Sequence, residues 1–115
     1  IIVKGSPDRF RDFVYIDDVV RLTLMTLNNE VSIGKNYNIG TGIKTTVRDV
    51  LDKLISMSTK GGLKKKLDGA RVRPTDITLQ IPDTSKFKQH FGWEPRKNLT
   101  NICEDLLNYW RNMLT

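Results

Sequence analysis

The spacing of hydrophobic and polar residues predicts short strands alternating with amphipathic helices. Apolar or alternating segments typical of strands occupy residues 1–4, 9–16, 36–40 and 77–81. Four helices are predicted after polar residues that can cap them: Asp17 and Asp18, Thr45 or Thr46, Asp83 or Thr84, and Thr100. The third helix is predicted to end at Phe91, because Gly92 occupies the position of a C-terminal capping glycine.

Hydrophobic residues at helical spacing predict an apolar stripe on three of the helices. We expect the last of these helices to pack on the rest of the domain. The first helix carries a stripe of Val20, Leu24 and Leu27, widened by Val19 and Met25. The stripe of the second helix consists of Val47, Val50, Leu51, Leu54 and Met57. The stripe of the last helix consists of Ile102, Leu106, Trp110 and Met113. We expect Trp110 to belong to the core rather than to contact a ligand.

Length and composition allow one domain at most, spanning residues 1–115. Hydrophobic residues make up 38% and aromatic residues 8% of the 115 positions, which permits a modest core. The 19 Lys and Arg residues exceed the 13 Asp and Glu residues, giving a net charge of +6 that suits an anionic partner. Because the sequence opens with an apolar strand at Ile1, we expect the chain to start inside a larger protein.

Metal and disulfide chemistry have little support in the sequence. The single cysteine, Cys103, excludes an internal disulfide and a cysteine-based metal cluster, and it favours a reducing compartment. The single histidine, His90, has no evident partner that would make it a general base. No apolar run approaches the length of a membrane span. We therefore predict no metal site and no membrane partner.

The segment 71–76, RVRPTD, places two guanidiniums and a carboxylate within six residues. A guanidinium is a rigid fork that suits phosphate oxygens, and a carboxylate can accept hydrogen bonds from sugar hydroxyls. Together these groups suit a nucleoside diphosphate, with Arg73 on the phosphates and Asp76 on the ribose. The alternative is an exposed loop with a surface ion pair, which contributes little to stability.

Four lysines between Lys60 and Lys66 leave two further interpretations open. The run is typical of a solvated loop, and it also suits an anion-steering patch. With Arg71 and Arg73 it could form a nucleic-acid-binding module, but no aromatic residues are interleaved to stack on bases. A third hypothesis is a protein-interaction domain that docks through its last helix. Of the anionic partners, we favour a nucleotide over a nucleic acid.

Five motifs, in order along nearly the whole chain, resemble one family. They are RDFVYIDDVV at 11–20, YNIGTG at 37–42, RPTD at 73–76, DTSK at 83–86 and GWEP at 92–95. Each is weak alone, but the ordered set resembles the C-terminal portion of extended short-chain dehydrogenases that act on nucleotide sugars. The resemblance implies an α/β fold: the small substrate-binding lobe of a Rossmann-type enzyme, with the Rossmann core absent.

The resemblance also implies roles for individual residues. Arg11 and Arg73 would hold the pyrophosphate and Asp76 the ribose, with Asn38 and Thr41 as further substrate-binding candidates. Asp12, Asp17 and Asp18 are interpreted as cap and turn residues rather than catalysts. The parent would be a cytoplasmic, homodimeric, NAD(P)-dependent epimerase, dehydratase or reductase. The motifs at 73–76 and 83–86 favour GDP sugars, while UDP-sugar 4-epimerases and dTDP-glucose dehydratases remain alternatives.

The motifs that such enzymes use for cofactor binding and catalysis do not occur in these residues. There is no G-x-x-G-x-x-G turn, and the Gly40-Thr41-Gly42 turn lacks the third glycine. No tyrosine is followed by a lysine at Y-x-x-x-K spacing. We therefore expect no catalytic residue and no NAD(P) site within residues 1–115, with the cofactor bound elsewhere in the parent.

Overall fold

Short strands and four helices follow one another along residues 1–115, all of which are described by a computed structural model. The strands are β1 (Ile2–Lys4), β2 (Phe10–Arg11), β3 (Thr45–Thr46), β4 (Lys66–Asp68) and β5 (Leu79–Gln80). The helices are α1 (Ile16–Leu27), α2 (Val47–Ser56), α3 (Ser85–Phe91) and α4 (Leu99–Leu114). Single 3₁₀ turns at Glu30–Ser32 and Gly69–Arg71 complete the elements.

The strands form two separate small sheets. In the first, β1 pairs with β4 in parallel, with Val3 opposite Leu67. In the second, β2 lies between β3 and β5, antiparallel to β3 and parallel to β5. Phe10 is therefore opposite both Thr46 and Leu79, so this one strand connects three distant parts of the chain.

Helix boundaries depend on local bonds that the sequence largely predicts. The Thr46 side chain accepts the Asp49 N–H at the start of α2, and Asp49 accepts the Thr46 N–H in return, which confirms the predicted cap. Gly92 ends α3 with a left-handed φ of 60°, also as predicted. The start of α4 was predicted wrongly, because Asn98, paired reciprocally with Asn101, caps it instead of Thr100.

Asp18 has a role that its position in the first turn of α1 does not reveal. The helix begins after Tyr15 without a side-chain cap, so Asp17 and Asp18 do not cap it as predicted. Asp18 is buried, and its Oδ2 accepts the backbone N–H groups of Arg96 and Lys97, each at 2.9 Å. Its Oδ1 accepts a bond from the Arg21 guanidinium at 3.0 Å. This carboxylate therefore connects α1 by hydrogen bonds to the segment that precedes α4.

The apolar stripe of α1 is largely exposed. Leu24 is 58% exposed, and Val20 and Leu27 are exposed as well, whereas Leu22 is buried. Trp110 of α4, predicted to lie in the core, is 54% exposed. The buried apolar side chains are Leu22, Phe87, Trp93 and Cys103.

The overall shape accounts for this exposure. The chain is flat, with extents of 52 × 40 × 18 Å. Its radius of gyration is 17.2 Å, against about 13 Å for a compact domain of this length. A flat chain has too little depth to bury both faces of its helices, so whole apolar stripes remain in contact with solvent.

Residues 36–40 are not a paired strand, contrary to the alternating pattern. No strand within residues 1–115 pairs with this segment, and both sheets are built from other strands. A β-strand requires a neighbour for its N–H and C=O groups, so the pattern alone does not produce one. The segment instead leads into Gly40, where Asp12 and Pro82 crowd the backbone.

Gly40→Ala is expected to destabilise the fold by about 1–3 kcal/mol, as overpacking does in a close-packed site. A Cβ there would lie 2.5 Å from Asp12 Oδ2 and 2.6 Å from Pro82 Cγ, closer than any real contact. Urea denaturation of the full-length protein would measure the change. Gly69→Ala is the matched control, because a Cβ at Gly69 has nothing within 4 Å. Equal effects of the two substitutions would contradict the steric argument.

Tyr15 links the start of α1 to α4 and should give a distinctive alkaline titration. Its hydroxyl donates to Asp105 Oδ2 at 2.5 Å. That hydrogen bond, then burial and the charges of Asp105 and Asp17, raise the pKa of Tyr15 to about 12. Because the pKa is higher in the folded state, the stabilisation is present below about pH 10 and is lost as pH rises to about 12.

Tyr15→Phe is expected to remove that part of the pH dependence. Tyrosinate absorbance would show one tyrosine fewer ionising near pH 12 in the variant than in the wild type. Tyr109→Phe serves as the control, since its side chain is exposed. If both variants lose the same late-titrating step, Tyr15 is not the group that titrates there.

Candidate functional site

A cavity of about 800 Å³ opens where the two sheets approach each other, and we call it the basic cavity. Its lining residues are Lys4, Gly5, Arg9, Arg11, Ala70, Arg71, Val72, Arg73, Pro74 and Asp76. They come from the end of β1, from β2 and from the loop that follows β4. The volume is within the range of about 300–1,000 Å³ typical of small-molecule sites.

The basic cavity brings together the three residues predicted to bind a nucleoside diphosphate. Arg11, Arg73 and Asp76 all line it, although Arg11 is far from the other two in sequence. The parallel pairing of β2 with β5 produces this arrangement, because it places the Arg11 strand beside the chain that follows Asp76. The Arg11 guanidinium donates to the Ile77 carbonyl at 3.0 Å, and its Nη2 lies 4.0 Å from Asp76 Oδ1.

The electrostatic character of the basic cavity suits an anion. Five cationic side chains and a single carboxylate line it, namely Lys4, Arg9, Arg11, Arg71, Arg73 and Asp76. Arg73 is exposed and takes part in none of the ion pairs of the structure, so its guanidinium is available to a ligand. A guanidinium in that state can bind phosphate oxygens bidentately.

Arg9 is a residue of this site that the sequence analysis missed. Its Nη1 forms an ion pair with Asp76 Oδ2, and both side chains are about four-fifths buried, with exposures of 19% and 21%. Arg9 and Arg11 are two positions apart in extended chain, so their side chains point to the same side. The spacing of Arg9 and Arg11 was the available signal in the sequence, but only the pairing of β2 with β5 shows that Asp76 lies beside Arg9.

Asn38 and Thr41, the other two candidates, lie outside the basic cavity. Asn38 lines a neighbouring cavity of about 650 Å³, which shares Arg11 with the basic cavity. Its side-chain amide donates to the Asp83 carbonyl at 3.2 Å. The Thr41 hydroxyl donates to Asp12 Oδ1 at 2.5 Å. Both side chains therefore make structural bonds that a ligand would have to replace.

The Gly40-Thr41-Gly42 turn does not fit a dinucleotide pyrophosphate. The backbone N–H of Thr41 donates to Asp12 Oδ1 at 3.0 Å, and that of Gly42 donates to Asp12 Oδ2 at 2.7 Å. A pyrophosphate needs such N–H groups free, and it would be repelled by the carboxylate that occupies them. Asp12 therefore stabilises a turn, as predicted, rather than a cofactor site.

The remaining polar clusters have simple structural partners. In the lysine run, Lys65 forms an ion pair with Asp52, and the Lys64 carbonyl accepts a hydrogen bond from the backbone nitrogen of Ile1. His90 Nδ1 lies 2.7 Å from the Tyr37 hydroxyl on the exposed side of α3. No group of three or more His, Cys, Asp or Glu side chains is placed to hold a metal ion. None of the helices has both the length and the apolar character needed to cross a membrane.

Comparison with known proteins places the chain among nucleotide-sugar enzymes. The family model described as GDP-mannose 4,6 dehydratase matches residues 1–106. A relative from Methanocaldococcus jannaschii, provisionally named a UDP-glucose 4-epimerase, is 32% identical over 116 residues, covering 96% of this chain and 34% of the relative. Other curated relatives are named for GDP, CDP and dTDP sugars, so their names do not single out one nucleotide.

Solved structures show the same fold. The UDP-glucose 4-epimerase of Thermotoga maritima, solved with UDP-glucose, superposes with a TM-score of 0.80 at 29% identity, over 100% of this chain and 36% of the epimerase. The UDP-glucuronic acid 4-epimerase of Bacillus cereus, solved with UDP-glucuronic acid and NAD, has a TM-score of 0.83 at 26% identity, over 97% and 35% of the two chains. The chain spans about a third of the length of the proteins it matches.

Proposed function

The chain belongs to the NAD-dependent nucleotide-sugar epimerases and dehydratases, and from that premise we propose that residues 1–115 form the nucleotide-sugar-binding lobe of a longer enzyme. The observation that carries the proposal is the convergence of Arg11, Arg73 and Asp76 on one basic cavity. The relatives of known structure include proteins solved with UDP-glucose and with UDP-glucuronic acid, which supports a sugar nucleotide as the ligand.

The bound nucleotide would be held mainly through its diphosphate. Arg73 has a free guanidinium, and Arg11 presents part of its fork to the same cavity. Two guanidiniums that reach one pyrophosphate from different elements hold it in position and neutralise its charge. Asp76 would accept hydrogen bonds from the ribose hydroxyls, since an ionised carboxylate has several acceptor positions.

The longer enzyme would be an NAD(P)-dependent epimerase, dehydratase or reductase whose cofactor site lies outside residues 1–115. The dinucleotide would supply the hydride transfer when bound, while residues 1–115 bind and orient the sugar nucleotide. The exposed apolar side chains of α1 support a further domain that packs on this lobe; they are Ile16, Val20, Leu24 and Leu27. Apolar stripes of this extent are uncommon on the free surface of a soluble protein.

GDP sugars are the substrates we favour, because the motifs at 73–76 and 83–86 resemble the GDP-mannose branch of the family. The match to the GDP-mannose 4,6 dehydratase family model supports this choice, whereas the UDP-sugar relatives support a UDP-glucose 4-epimerase as the alternative. A dTDP-glucose dehydratase is the second alternative.

The proposal is tested by assaying the full-length protein with NAD(P) against matched GDP-, UDP- and dTDP-hexoses. Nuclear magnetic resonance of the product would identify epimerised, dehydrated or reduced sugars. Conversion of one nucleotide series is the expected result. If no nucleoside diphosphate sugar is converted or bound, the proposed function is wrong. A nucleic-acid-binding role would instead show a steep fall in duplex or single-strand affinity with salt concentration.

A further inference from the structure

We propose that Arg9 is a positioning residue that orients the Asp76 carboxylate and thereby makes the site selective for ribonucleotides. The inference rests on the proposed function, since it concerns how the same cavity reads the sugar next to the diphosphate. It goes beyond the roles assigned to Arg11 and Asp76, because nothing in the motifs gives Arg9 a function.

The contacts of Asp76 show what Arg9 does. One oxygen, Oδ2, is paired with the Arg9 guanidinium. The other oxygen, Oδ1, accepts the backbone N–H of Ile77 at 2.7 Å and lies 4.0 Å from Arg11 Nη2. A carboxylate held at both oxygens has one orientation, and its remaining lone pairs point in fixed directions into the cavity.

The surroundings of Arg9 hold it in place for this role. Arg9 directly precedes β2, and the Phe10 N–H donates to the Thr78 carbonyl at 2.8 Å, so the backbone on both sides of the ion pair is joined. The buried Gly5 lies beside the Arg9 guanidinium, since a Cβ at Gly5 would be 3.8 Å from Nη1. With an exposure of 19%, the Arg9 side chain is committed to the ion pair rather than to solvent or phosphate.

Arg9 therefore acts on the ligand through Asp76. A correctly oriented carboxylate binds a ribose hydroxyl strongly, and a freely rotating one does so weakly because binding then costs rotamer entropy. The hydroxyl that distinguishes ribose from deoxyribose is the 2′-hydroxyl, so the ratio of affinities for the two sugars reports the orientation of Asp76. Arg71 lines the same cavity without contacting Asp76, and it provides a control that removes the same charge.

The test measures binding of UDP, GDP, their 2′-deoxy forms and dTDP to the full-length protein by titration calorimetry. The wild type is expected to prefer the better-bound ribonucleotide to its deoxy form by about tenfold or more, as for a hydrogen bond to a charged group. Arg9→Gln should lower that ratio to about twofold or less, and Asp76→Asn should lower it to a similar value. The double variant should show no further loss, whereas Arg71→Gln should weaken both forms equally and keep the ratio.

Each result bears on the inference. A ratio that stays at the wild-type value in Arg9→Gln would overturn it, as would equal binding of ribo and deoxy forms by the wild type.

If Arg9→Gln does not fold, Arg9→Lys takes its place, because a compact ammonium lacks the fork that holds a planar carboxylate. Arg9→Lys is expected to lie between wild type and Asp76→Asn, and an unchanged ratio contradicts the role. If none of UDP, GDP, their 2′-deoxy forms and dTDP binds the wild type, the proposed function itself fails. If at least one of them binds and Arg9→Gln behaves as Arg71→Gln, only this inference fails.

Discussion

Arg73→Ala is expected to raise the KM of the full-length enzyme for its nucleotide sugar by about 10- to 150-fold. This range corresponds to the loss of one charge-assisted hydrogen-bonding group, about 1.5–3 kcal/mol. Arg73 lines the basic cavity and has no ion-pair partner in the protein, so its removal leaves no other charge unpaired. The effect should therefore come from the ligand alone.

The change should appear in KM rather than in kcat. The diphosphate keeps its charge and its contacts throughout a reaction on the sugar, so Arg73 binds substrate and transition state equally. Steady-state kinetics over a range of substrate concentrations separates the two constants. Arg96→Ala removes the same charge outside the basic cavity and is expected to leave KM within about twofold, as for a distant screened charge. An unchanged KM in Arg73→Ala would remove Arg73 from the site.

Asp18→Ala is expected to lower the free energy of unfolding by about 3–5 kcal/mol, the usual effect of breaking a buried charged pair. Asp18 is only 2% exposed, and it satisfies the N–H groups of Arg96 and Lys97 together with the Arg21 guanidinium. Without it, the N–H groups of Arg96 and Lys97 lose this acceptor, and the Arg21 guanidinium keeps its bond to the Glu94 carbonyl. Since native proteins are stable by only about 5–15 kcal/mol, a loss of this size is a large fraction of the total.

Asp17→Ala is the matched control for Asp18. Both residues lie in the first turn of α1 and carry the same charge, but Asp17 is exposed. The Asp17 substitution should cost only the dipole interaction, about 0.3–1 kcal/mol. Thermal and urea denaturation of both variants, measured in the full-length protein, checks the difference. Similar losses for the two would show that Asp18 contributes through charge at the helix end and not through the buried bonds.

The dependence of stability on pH under acidic conditions gives a second test of the Asp18 prediction. Burial raises the pKa of Asp18, but the bonds from Lys97, Arg96 and Arg21 outweigh it and hold the pKa below its usual range. The carboxyl pKa is thus lower in the folded state, so the stabilisation is present above about pH 4 and is lost as pH falls below it. Asp18→Asn should show a shallower loss over that window than the wild type.

Local structure was predictable wherever the deciding contact lies within a few residues. Thr46 and Asp49 cap α2 through bonds three residues apart, and Gly92 ends α3 through its own backbone conformation. The turn role of Asp12 was also predicted, but its partners, the N–H groups of Thr41 and Gly42, lie 29 and 30 positions away. The start of α4 was misplaced because Asn98 and Thr100 are both good caps, and only the backbone geometry selects between them.

Burial was predicted less well, because a helical stripe indicates which face is apolar and not what covers it. The stripe of α1 has the period of a buried face, yet Leu24 and Leu27 are exposed. Trp110 on α4 is likewise exposed. Residues 36–40 have a strand-like pattern but no pairing partner. In each case the sequence has the pattern of a buried helix face or a paired strand, and the structure shows neither burial nor pairing there.

The candidate site was predictable in its chemistry and not in its full membership. Arg11, Arg73 and Asp76 were named from motifs, and the structure places all three at one cavity. Arg9 was not named, because its ion pair with Asp76 depends on the register between β2 and β5. Asn38 and Thr41 were named from a motif, but their bonds to the Asp83 carbonyl and to Asp12 give them structural partners.

The sequence by itself determined the family, the order of the four helices, the cap of α2, the end of α3 and the cationic character of the site. All of these depend on residue type and on spacings of two to four positions. Only the tertiary structure decided which groups meet. Asp18 accepts the backbone N–H of Arg96, 78 positions away, and Arg9 forms an ion pair with Asp76. The physical reason is that a carboxylate has the same chemistry anywhere in a chain, while its partners are selected by strand register and helix packing, which depend on contacts distant in sequence.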